Sequence, residues 1–464
     1  MLLHIDLESK SPLYIQIYQQ IKEKIHNQEL ATNEKLTSKR QLAELNQVSE
    51  NTIMNAYNQL LTEGYIYSKE RQGYFVADVK LQFDLPDLPE IKTKTETASD
   101  IKWNLTRSNP DKDLFPYSVF SKLYRQLMHL PPDQLLSETA AQGLIELRVN
   151  LQSYLSQSRG VPCTADQIIL GPSTEYLISI LLHLLDEDIH VGVEDPGYNG
   201  FKALFNRSGI STTAIPVDNM GVSIFELEES AANLMIVTSN HQFPTGSIMP
   251  LPRRQSLLHW ANEHENRYII ENDYDSEFKY SGIPIPSLKY LDQKQKVVYL
   301  GSFTRNLSPG IRMSYMVLPD NLLKKYKDIY QSYSSPLSTA EQWIIRNFLN
   351  DGHFTTHLNR SRTFYKKKRD GMLKAITEID PQAEIYGENA GLHLLMKPSI
   401  PFNGTEFKQM ALNEGIRINL LSDYATNPIE GQDNTLFISF SNIPKKDIPP
   451  LVQQLYFMIK NCSK

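Results

Sequence analysis

The chain has few of the features that mark secreted, membrane-bound or strongly basic proteins. Its 464 residues include only two cysteines, Cys163 and Cys462, and no metal or redox spacing, so we expect a cytoplasmic protein without a metal site. The most apolar stretch, residues 176–185, is about half as long as a membrane-spanning helix, and we expect no membrane role. Residues 1–10 contain two acidic side chains and no apolar segment, so we expect no signal peptide.

The chain also lacks an excess of positive charge. Its formal net charge is −6, and 41% hydrophobic with 22% charged residues is typical of a soluble globular protein. Residues 1–80 contain nine Lys and Arg side chains against ten Asp and Glu side chains, a net charge of −1. Any contact with nucleic acid must therefore depend on where the cations lie and not on their total.

The first eighty residues carry the pattern of a small helical unit. Apolar residues recur every four positions over residues 13–25, and Ser38 and Ser49 are helix N-cap candidates before two further apolar patterns. Two β-prone runs, residues 65–67 and 74–76, flank a polar loop with Gly73. Three short helices and a hairpin predict a winged helix-turn-helix over residues 1–78.

The remaining chain changes character twice. Residues 79–101 are polar and proline-containing and predict a linker. From residue 102 to residue 464, continuously apolar strand patterns alternate with helical ones, which predicts an α/β domain with a mostly parallel sheet. The last hundred residues mix helices with strands at 391–396 and 436–441, as expected for a smaller α+β lobe.

Motifs of the N-terminal unit resemble the GntR-type DNA-binding domain. They include KLTSKRQLA at residues 35–43, EGYI at 63–66 and GYFV at 73–76. The resemblance implies DNA contacts from the start of the second helix, the first turn of the third helix and the wing. The residues implied by the resemblance are Arg40, Ser49, Glu50, Asn51, Thr52 and Gly73. Lys39, Lys69 and Arg71 are added as DNA-contact candidates because, with Arg40, they could gather on one face and meet phosphates.

Two positions depart from the GntR pattern. Thr37 stands where the family usually has proline, and Glu50 stands where it usually has arginine. A glutamate facing the groove repels phosphate and accepts a hydrogen bond only from a donor such as the cytosine amino group. The alternative interpretation is a winged helix used only for protein contacts.

The large domain resembles fold-type I aminotransferases, and its fusion to this head resembles the MocR/GabR-type transcription regulators. The resemblance rests on motifs spread along the domain in family order: EDPGY at 194–198, HQFPTG at 241–246, ENDYDSEF at 271–278 and GSFTRNLSPGIR at 301–312. It implies a fold-type I pyridoxal phosphate-dependent transferase-like domain, and therefore pyridoxal phosphate as the family cofactor.

Three positions that the resemblance makes chemically important carry other residues. The Schiff-base lysine falls on Arg305, whose guanidinium stays protonated and cannot form an aldimine. The aspartate that pairs with the pyridine nitrogen falls on Asn272, which carries no charge. The arginine that binds the substrate carboxylate falls on Phe437. We therefore predict no catalytic residues and no covalent cofactor.

Other positions of the cofactor site match the family. Tyr198 and Tyr274 are aromatic residues near the expected cofactor ring, while Ser302, Thr304 and Arg312 lie in the phosphate-holding element. One interpretation is that these residues only cap elements or fill the former pocket. The other is a pocket for pyridoxal phosphate held non-covalently, or for another phosphorylated or anionic effector.

The sequence as a whole predicts a DNA-binding transcription regulator. The resemblance implies a homodimer, because fold-type I sites are built across a subunit interface, and the expected partner is double-stranded promoter DNA. The degenerate domain would then serve for dimerisation and effector sensing. The alternative from another class is a pyridoxal phosphate-dependent aminotransferase with a fused DNA-binding head.

Overall fold

The structure is a computed structural model that describes residues 1–6, 9, 11–79, 101–185, 188–280 and 286–463. It divides into two compact units, one within residues 1–95 and the other within residues 96–464. The predicted linker over residues 79–101 lies almost wholly outside the described residues. Among the residues described, no helix is long and apolar enough to cross a membrane.

The first unit has the elements that the sequence predicts. Ser38 and Ser49 each accept a backbone N–H bond three residues onward, so both act as N-caps of the helices that follow. The elements are helices α1 (Leu13–His26), α2 (Lys39–Asn46) and α3 (Glu50–Thr62) and strands β1 (Ile66–Lys69) and β2 (Gly73–Val76).

A single apolar core holds this unit together. It includes Ile17 and Ile21 of α1, Leu42 of α2 and Ile53 of α3, all fully buried. Strands β1 and β2 pair antiparallel as the wing. The Tyr57 hydroxyl donates to the Thr37 carbonyl at 2.8 Å, which ties α3 to the segment before α2.

The second unit alternates helices with strands over most of its length. Its helices are α4 (Tyr117–Leu127), α5 (Pro132–Leu136), α6 (Ile145–Tyr154), α7 (Thr174–Leu184), α8 (Asn199–Arg207), α9 (Ile224–Glu228), α10 (Leu251–Asn262), α11 (Leu288–Leu291), α12 (Asp320–Tyr330), α13 (Thr339–Asn350), α14 (His353–Ile379), α15 (Gly404–Asn413) and α16 (Ile448–Asn461).

Its strands form one large sheet and two smaller ones. They are β3 (Trp103–Asn104), β4 (Ile168–Gly171), β5 (His190–Asp195), β6 (Ser211–Asp218), β7 (Gly221–Val222), β8 (Leu234–Val237), β9 (Tyr268–Asp273), β10 (Val297–Ser302), β11 (Ser314–Val317), β12 (Glu384–Tyr386), β13 (His393–Lys397), β14 (Ile416–Arg417), β15 (Asn419–Leu420) and β16 (Leu436–Ser439).

The large sheet has eight strands in the order β4-β11-β10-β9-β8-β5-β6-β7. Strands β10, β9, β8, β5 and β6 pair in parallel, which confirms the predicted α/β architecture. Strand β11 runs antiparallel between β10 and β4. The strand patterns did not predict β11, because it is a short apolar segment whose direction depends on partners distant in the chain.

The smaller lobe contains a four-stranded antiparallel sheet in the order β12-β13-β16-β15, packed with α14, α15 and α16. Strand β3 pairs in parallel with β14, which fastens the start of the second unit to this lobe. The predicted strands at 391–396 and 436–441 correspond to β13 and β16. Strand β13 begins two residues later and ends one residue later than predicted, and β16 ends two residues earlier.

Candidate functional site

A cleft of about 240 Å³ opens at the carboxyl ends of the parallel strands. Asn272 lies near the end of β9, and Ser302 is the last residue of β10. The N-terminal turn of α7 borders the same cleft. Ligand sites in open α/β sheets occur at this edge, where strand ends and helix N-termini meet.

All seven pocket residues that the sequence predicts line this cleft. They are Tyr198, Asn272, Tyr274, Ser302, Thr304, Arg305 and Arg312. Five further lining residues were not singled out from the sequence, because only the fold brings their elements together. They are Glu175, Phe201, Thr238, Phe243 and Ser314.

One end of the cleft is a cluster of hydroxyl groups beside a guanidinium. The Ser302 hydroxyl donates to the Thr304 hydroxyl at 2.9 Å and accepts from the Ser314 hydroxyl at 3.0 Å. Arg312 follows a short 3-10 turn with a left-handed backbone (φ 47°) and leads into β11. In the described part of the chain, no carboxylate pairs with Arg312. We call Ser302, Thr304, Arg312 and Ser314 the phosphate end.

The start of α7 adds a further set of donors to the cleft. Ser173 caps the helix by accepting from the Tyr176 backbone N–H, and Thr174 is the first helical residue. The partial positive charge at a helix N-terminus favours an anion. Glu175 also lines the cleft, so two arginines there face one carboxylate.

Arg305, at the position of the expected lysine, is held by a contact across the domain. Its Nη1 atom donates to the Ser108 carbonyl oxygen at 2.6 Å, a bond between residues 197 positions apart. Ser108 follows β3 in the segment that opens the second unit. No lysine lines the cleft among the residues described. Lys202 lines a smaller adjoining cavity and donates to the Thr426 hydroxyl.

Asn272 lines the cleft, and the carboxylates that precede and follow it in the sequence have partners outside the cleft. Consecutive strand residues point to opposite faces, so Glu271 and Asp273 turn away from the face that Asn272 presents. Glu271 accepts from the Ser239 hydroxyl at 2.6 Å and from two backbone N–H groups at the start of α11. Asp273 pairs with the buried Arg159 and accepts from the Tyr299 hydroxyl at 2.6 Å. Neither carboxylate can replace the missing aspartate.

Tyr274 lies against a buried histidine. Its hydroxyl is 3.0 Å from His241 Nδ1, and the same nitrogen is 3.0 Å from the Asp275 carboxylate. Burial raises the pKa of Tyr274 well above its usual value. Burial lowers the pKa of His241, but the Asp275 carboxylate more than offsets this, so the net shift is upward.

The opposite end of the cleft leads into packed aromatic rings. Phe437, at the position of the expected carboxylate-binding arginine, is 1% exposed. Its ring centroid lies 4.7 Å from that of His393, 5.1 Å from Tyr424 and 5.6 Å from Phe243, which lines the cleft. We call Phe243, His393, Tyr424 and Phe437 the aromatic end. It offers no cation to a carboxylate.

Glu194 is partly buried at the end of β5 and lines the smaller cavity that adjoins the cleft. Its carboxylate accepts from the Thr238 hydroxyl at 2.6 Å and from the Thr238 backbone N–H at 3.2 Å. Burial is the largest influence and raises the pKa of Glu194 to about 7, against the lowering effect of these bonds. Near neutral pH this carboxyl group is therefore only partly ionised.

In the first unit, the residues predicted to meet DNA lie on α2, on α3 and in the wing. Lys39 lies 5.7 Å from the Tyr74 ring centroid, and Lys69 lies 4.8 Å from that of Phe75. Tyr74 and Phe75 are consecutive on β2, so the two lysines flank opposite faces of the wing. Arg40 is exposed and pairs with Glu44 at 3.2 Å.

The remaining predicted contact residues divide between exposed and capping positions. Glu50 and Asn51 are exposed in the first turn of α3. The Ser49 and Thr52 hydroxyls lie 2.8 Å apart within the helix cap. Arg71 and Gly73 form the tip of the wing, both with positive φ.

Comparisons with known proteins identify both units. The family model "Bacterial regulatory proteins, gntR family" matches residues 13–76, and "Aminotransferase class I and II" matches residues 125–455. The chain is 36% identical to the HTH-type transcriptional regulator YdeL of Bacillus subtilis (strain 168), covering 96% of both chains. It is 28% identical to the probable rhizopine catabolism regulatory protein MocR of Rhizobium meliloti, over 91% of this chain and 89% of the relative.

Solved structures match the second unit. An archaeal alanine:glyoxylate aminotransferase aligns with a TM-score of 0.70 and 25% identity, over 77% of this chain and 91% of that one. The kynurenine aminotransferase of Pyrococcus horikoshii aligns with a TM-score of 0.69 and 24% identity, over 78% and 92% of the two chains. The predicted fold of both units is thereby confirmed.

Proposed function

Because the chain belongs to the family of HTH-type transcriptional regulators that join a gntR-family head to an aminotransferase class I and II domain, we propose that it controls transcription by binding promoter DNA through its head. Its second unit is then a dimerisation and effector-sensing domain without aminotransferase activity. The observation that carries the second part is a cleft with a phosphate end but with Arg305 in place of a lysine.

The head supports DNA binding through its shape and its local charge. Helix α3 is the recognition helix, since its N-cap is formed and its buried face packs on α1 and α2. Lys39, Arg40, Lys69 and Arg71 flank it and would meet phosphates, whereas Glu50 opposes binding. With four cations, the affinity of one head should be modest and strongly dependent on salt.

Fluorescence anisotropy of the full chain on promoter fragments, including the one upstream of its own gene, tests this function. The double variant Lys39→Ala, Arg40→Ala should weaken binding to every fragment and reduce the slope of log affinity against log salt by about 1 to 2. Lys24→Ala on α1 is the matched control and should leave both unchanged. If no promoter fragment binds at low salt, the proposed function is wrong.

The residues of the cleft do not fit covalent pyridoxal phosphate chemistry. An aldimine needs a neutral amine, and the guanidinium of Arg305 stays protonated. A protonated pyridine nitrogen needs a carboxylate partner, and the Asn272 side chain is an uncharged amide. Glu271 accepts a hydrogen bond from Ser239, and Asp273 pairs with Arg159. We therefore propose that the domain has no transamination activity.

The same cleft fits an anionic ligand held by hydrogen bonds and charge. Arg312 can donate two parallel hydrogen bonds to a phosphate, and the nearby hydroxyls and the α7 N-terminus supply further donors. Tyr198 is 44% exposed, so its ring remains accessible to a planar ligand. Our candidate class is a phosphorylated small molecule, with non-covalent pyridoxal phosphate as its first member. Calorimetry should detect binding of pyridoxal phosphate and weaker binding of inorganic phosphate. Pyridoxal lacks the phosphate group and should show no binding.

Exposed apolar side chains on the second unit support the proposed homodimer. Helices α4, α5 and α6 all pack on α13 and carry Tyr117, Leu136 and Val149 at 66%, 81% and 48% exposure. Exposed apolar surface of this kind marks interfaces. Leu136→Asp should shift the sedimentation mass from dimer to monomer, whereas the same change at Phe457 on α16, which is 65% exposed, should not. A monomeric wild-type chain would overturn the dimer.

A dimer would give the effector a way to act on DNA. Two heads on one two-fold assembly contact paired half-sites, and avidity compensates for the weak binding of each. An effector in the cleft changes DNA affinity only if it favours one arrangement of the heads over another. Measuring operator affinity with and without pyridoxal phosphate tests this coupling, and equal affinities would exclude it for that ligand.

A further inference from the structure

The outward face of α3 carries a row of asparagines. Asn51, Asn55 and Asn58 are exposed and lie at helical spacings of four and three residues, which places them on one face. Met54, 36% exposed, lies beside them. The opposite face of α3, with Ile53, Ala56, Tyr57 and Leu60, is buried in the core of the head. Helix packing therefore fixes which side chains face outward.

The side-chain amides of Asn51 and Asn55 are exposed to solvent. Within the described residues, neither Asn51 nor Asn55 forms a side-chain hydrogen bond. Two neighbouring polar groups that the sequence also favoured are in use, because the Ser49 and Thr52 hydroxyls lie 2.8 Å apart and Ser49 accepts the Thr52 backbone N–H. The carboxamides are thus the free polar groups in the first half of the helix besides Glu50.

Helix α3, from Glu50 to Thr62, contains no lysine or arginine. Arginine and lysine are the side chains that read guanine, through its O6 and N7 acceptors, whereas asparagine reads adenine by donating to N7 and accepting from the N6 amino group. An apolar side chain such as Met54 suits the thymine methyl group. The chemistry of this face therefore matches adenine–thymine pairs and lacks the usual means of recognising guanine.

We propose that α3 reads adenine–thymine base pairs in the major groove through Asn51 and Asn55, with Met54 against a thymine methyl group. This inference rests on the proposed DNA-binding function. At about 1.5 Å of rise per residue, Asn51 and Asn55 are about 6 Å apart along the helix, close to two base-pair steps of about 3.4 Å. The two amides would address base pairs two steps apart. Any guanine contact would come from a cation outside α3, such as Lys39 or Arg40 of α2.

Selection of binding sites by the full chain from randomised duplex DNA tests the proposal. The enriched half-site should contain adenine–thymine pairs at two positions two steps apart. Replacing either pair with guanine–cytosine should weaken anisotropy-measured affinity about tenfold. Asn55→Ala should remove the preference at one of the two positions and leave the other intact, and Asn51→Ala should do the reverse. Gln19→Ala, which removes an exposed amide on α1, should change neither.

A gain-of-function variant makes the test independent of loss of binding. Asn55→Arg should convert the preference at its position from adenine to guanine. Enrichment of guanine–cytosine pairs at the positions that Asn51 and Asn55 control, or selection without base preference, would overturn the proposal while leaving DNA binding intact. Failure to bind any duplex at low salt would instead overturn the proposed function itself.

Discussion

The phosphate end lines the cleft, whereas only Phe243 of the aromatic end does, and the two ends have opposite character. At the phosphate end, Ser302 and Thr304 offer hydroxyl groups, and Arg312 offers a guanidinium that pairs with no carboxylate among the described residues. At the aromatic end, Phe437 is 1% exposed and packs against Tyr424 and His393. Arg305 also lines the cleft and donates to the backbone carbonyl of Ser108.

This contrast separates binding from chemistry. Holding a phosphate requires donors and positive charge, which several residue types supply. Forming an aldimine requires a neutral amine at one position, and orienting an amino-acid substrate requires a cation for its carboxylate. Among the described residues that line the cleft, the first set is present and the second is not. A site of this composition can recognise a ligand without converting it.

The largest expected effect concerns the aromatic end, which should behave as core. Phe437→Ala should lower the free energy of unfolding by about 3–5 kcal/mol, because the cavity left among the surrounding rings cannot fill with water. Phe457→Ala, at an exposed position on α16, should change it by about 0.5 kcal/mol or less. Urea denaturation of the full chain, followed by tryptophan fluorescence, provides the comparison. Equal effects would mean that the aromatic end is an open subsite.

A smaller effect is expected from the protonation of Glu194 beside the cleft. Its pKa is raised to about 7, so the folded protein binds more protons than the unfolded chain between about pH 4.5 and 7. Stability therefore falls as the pH rises through this range, by about 3 kcal/mol from this group. Glu194→Gln should reduce the difference between the free energies of unfolding measured at pH 5 and at pH 8. An unchanged pH dependence would mean that Glu194 is ionised throughout.

At the phosphate end, Arg312 should dominate affinity. Arg312→Ala should weaken pyridoxal phosphate binding about thirtyfold, or about 2 kcal/mol, since a charge-assisted pair is lost. Arg207→Ala, an exposed arginine at the end of α8, is the control and should have no effect. If both variants bind as the wild type does, the anion does not occupy this end.

The smallest effect should come from the hydroxyl cluster. Ser302→Ala removes one donor from a set that includes Thr304 and Ser314, and the remaining hydroxyls can reorient. Affinity should fall about fivefold, or about 1 kcal/mol. Calorimetry with pyridoxal phosphate can resolve this difference. A loss as large as that of Arg312→Ala would show that hydroxyls, and not charge, hold the ligand.

Local features of both units followed from the sequence. The caps at Ser38 and Ser49 form as predicted because each depends on residues three positions away. The buried strands were evident from continuous apolar runs such as Leu234–Val237. The pocket residues came from motifs at the ends of strands, where parallel topology brings them together.

Long-range features did not follow from the sequence. No local pattern indicates that Arg305 would reach the carbonyl of Ser108 or that Phe437 would pack on Phe243. Both contacts join distant segments through the arrangement of the two lobes. The asparagine face of α3 was also missed beyond Asn51, because exposure depends on how the helix packs in the head.

The central claim is that the cleft holds an anion without forming a covalent bond to it. Borohydride reduction of the full chain with pyridoxal phosphate, followed by peptide mass spectrometry, tests this most directly. Arg305→Lys with Asn272→Asp is the positive control and should acquire a visible absorption band and a label at position 305. We expect no stoichiometric label on any wild-type lysine, including Lys202 beside the cleft. A stoichiometric label on one wild-type lysine, together with a visible aldimine band, would contradict it.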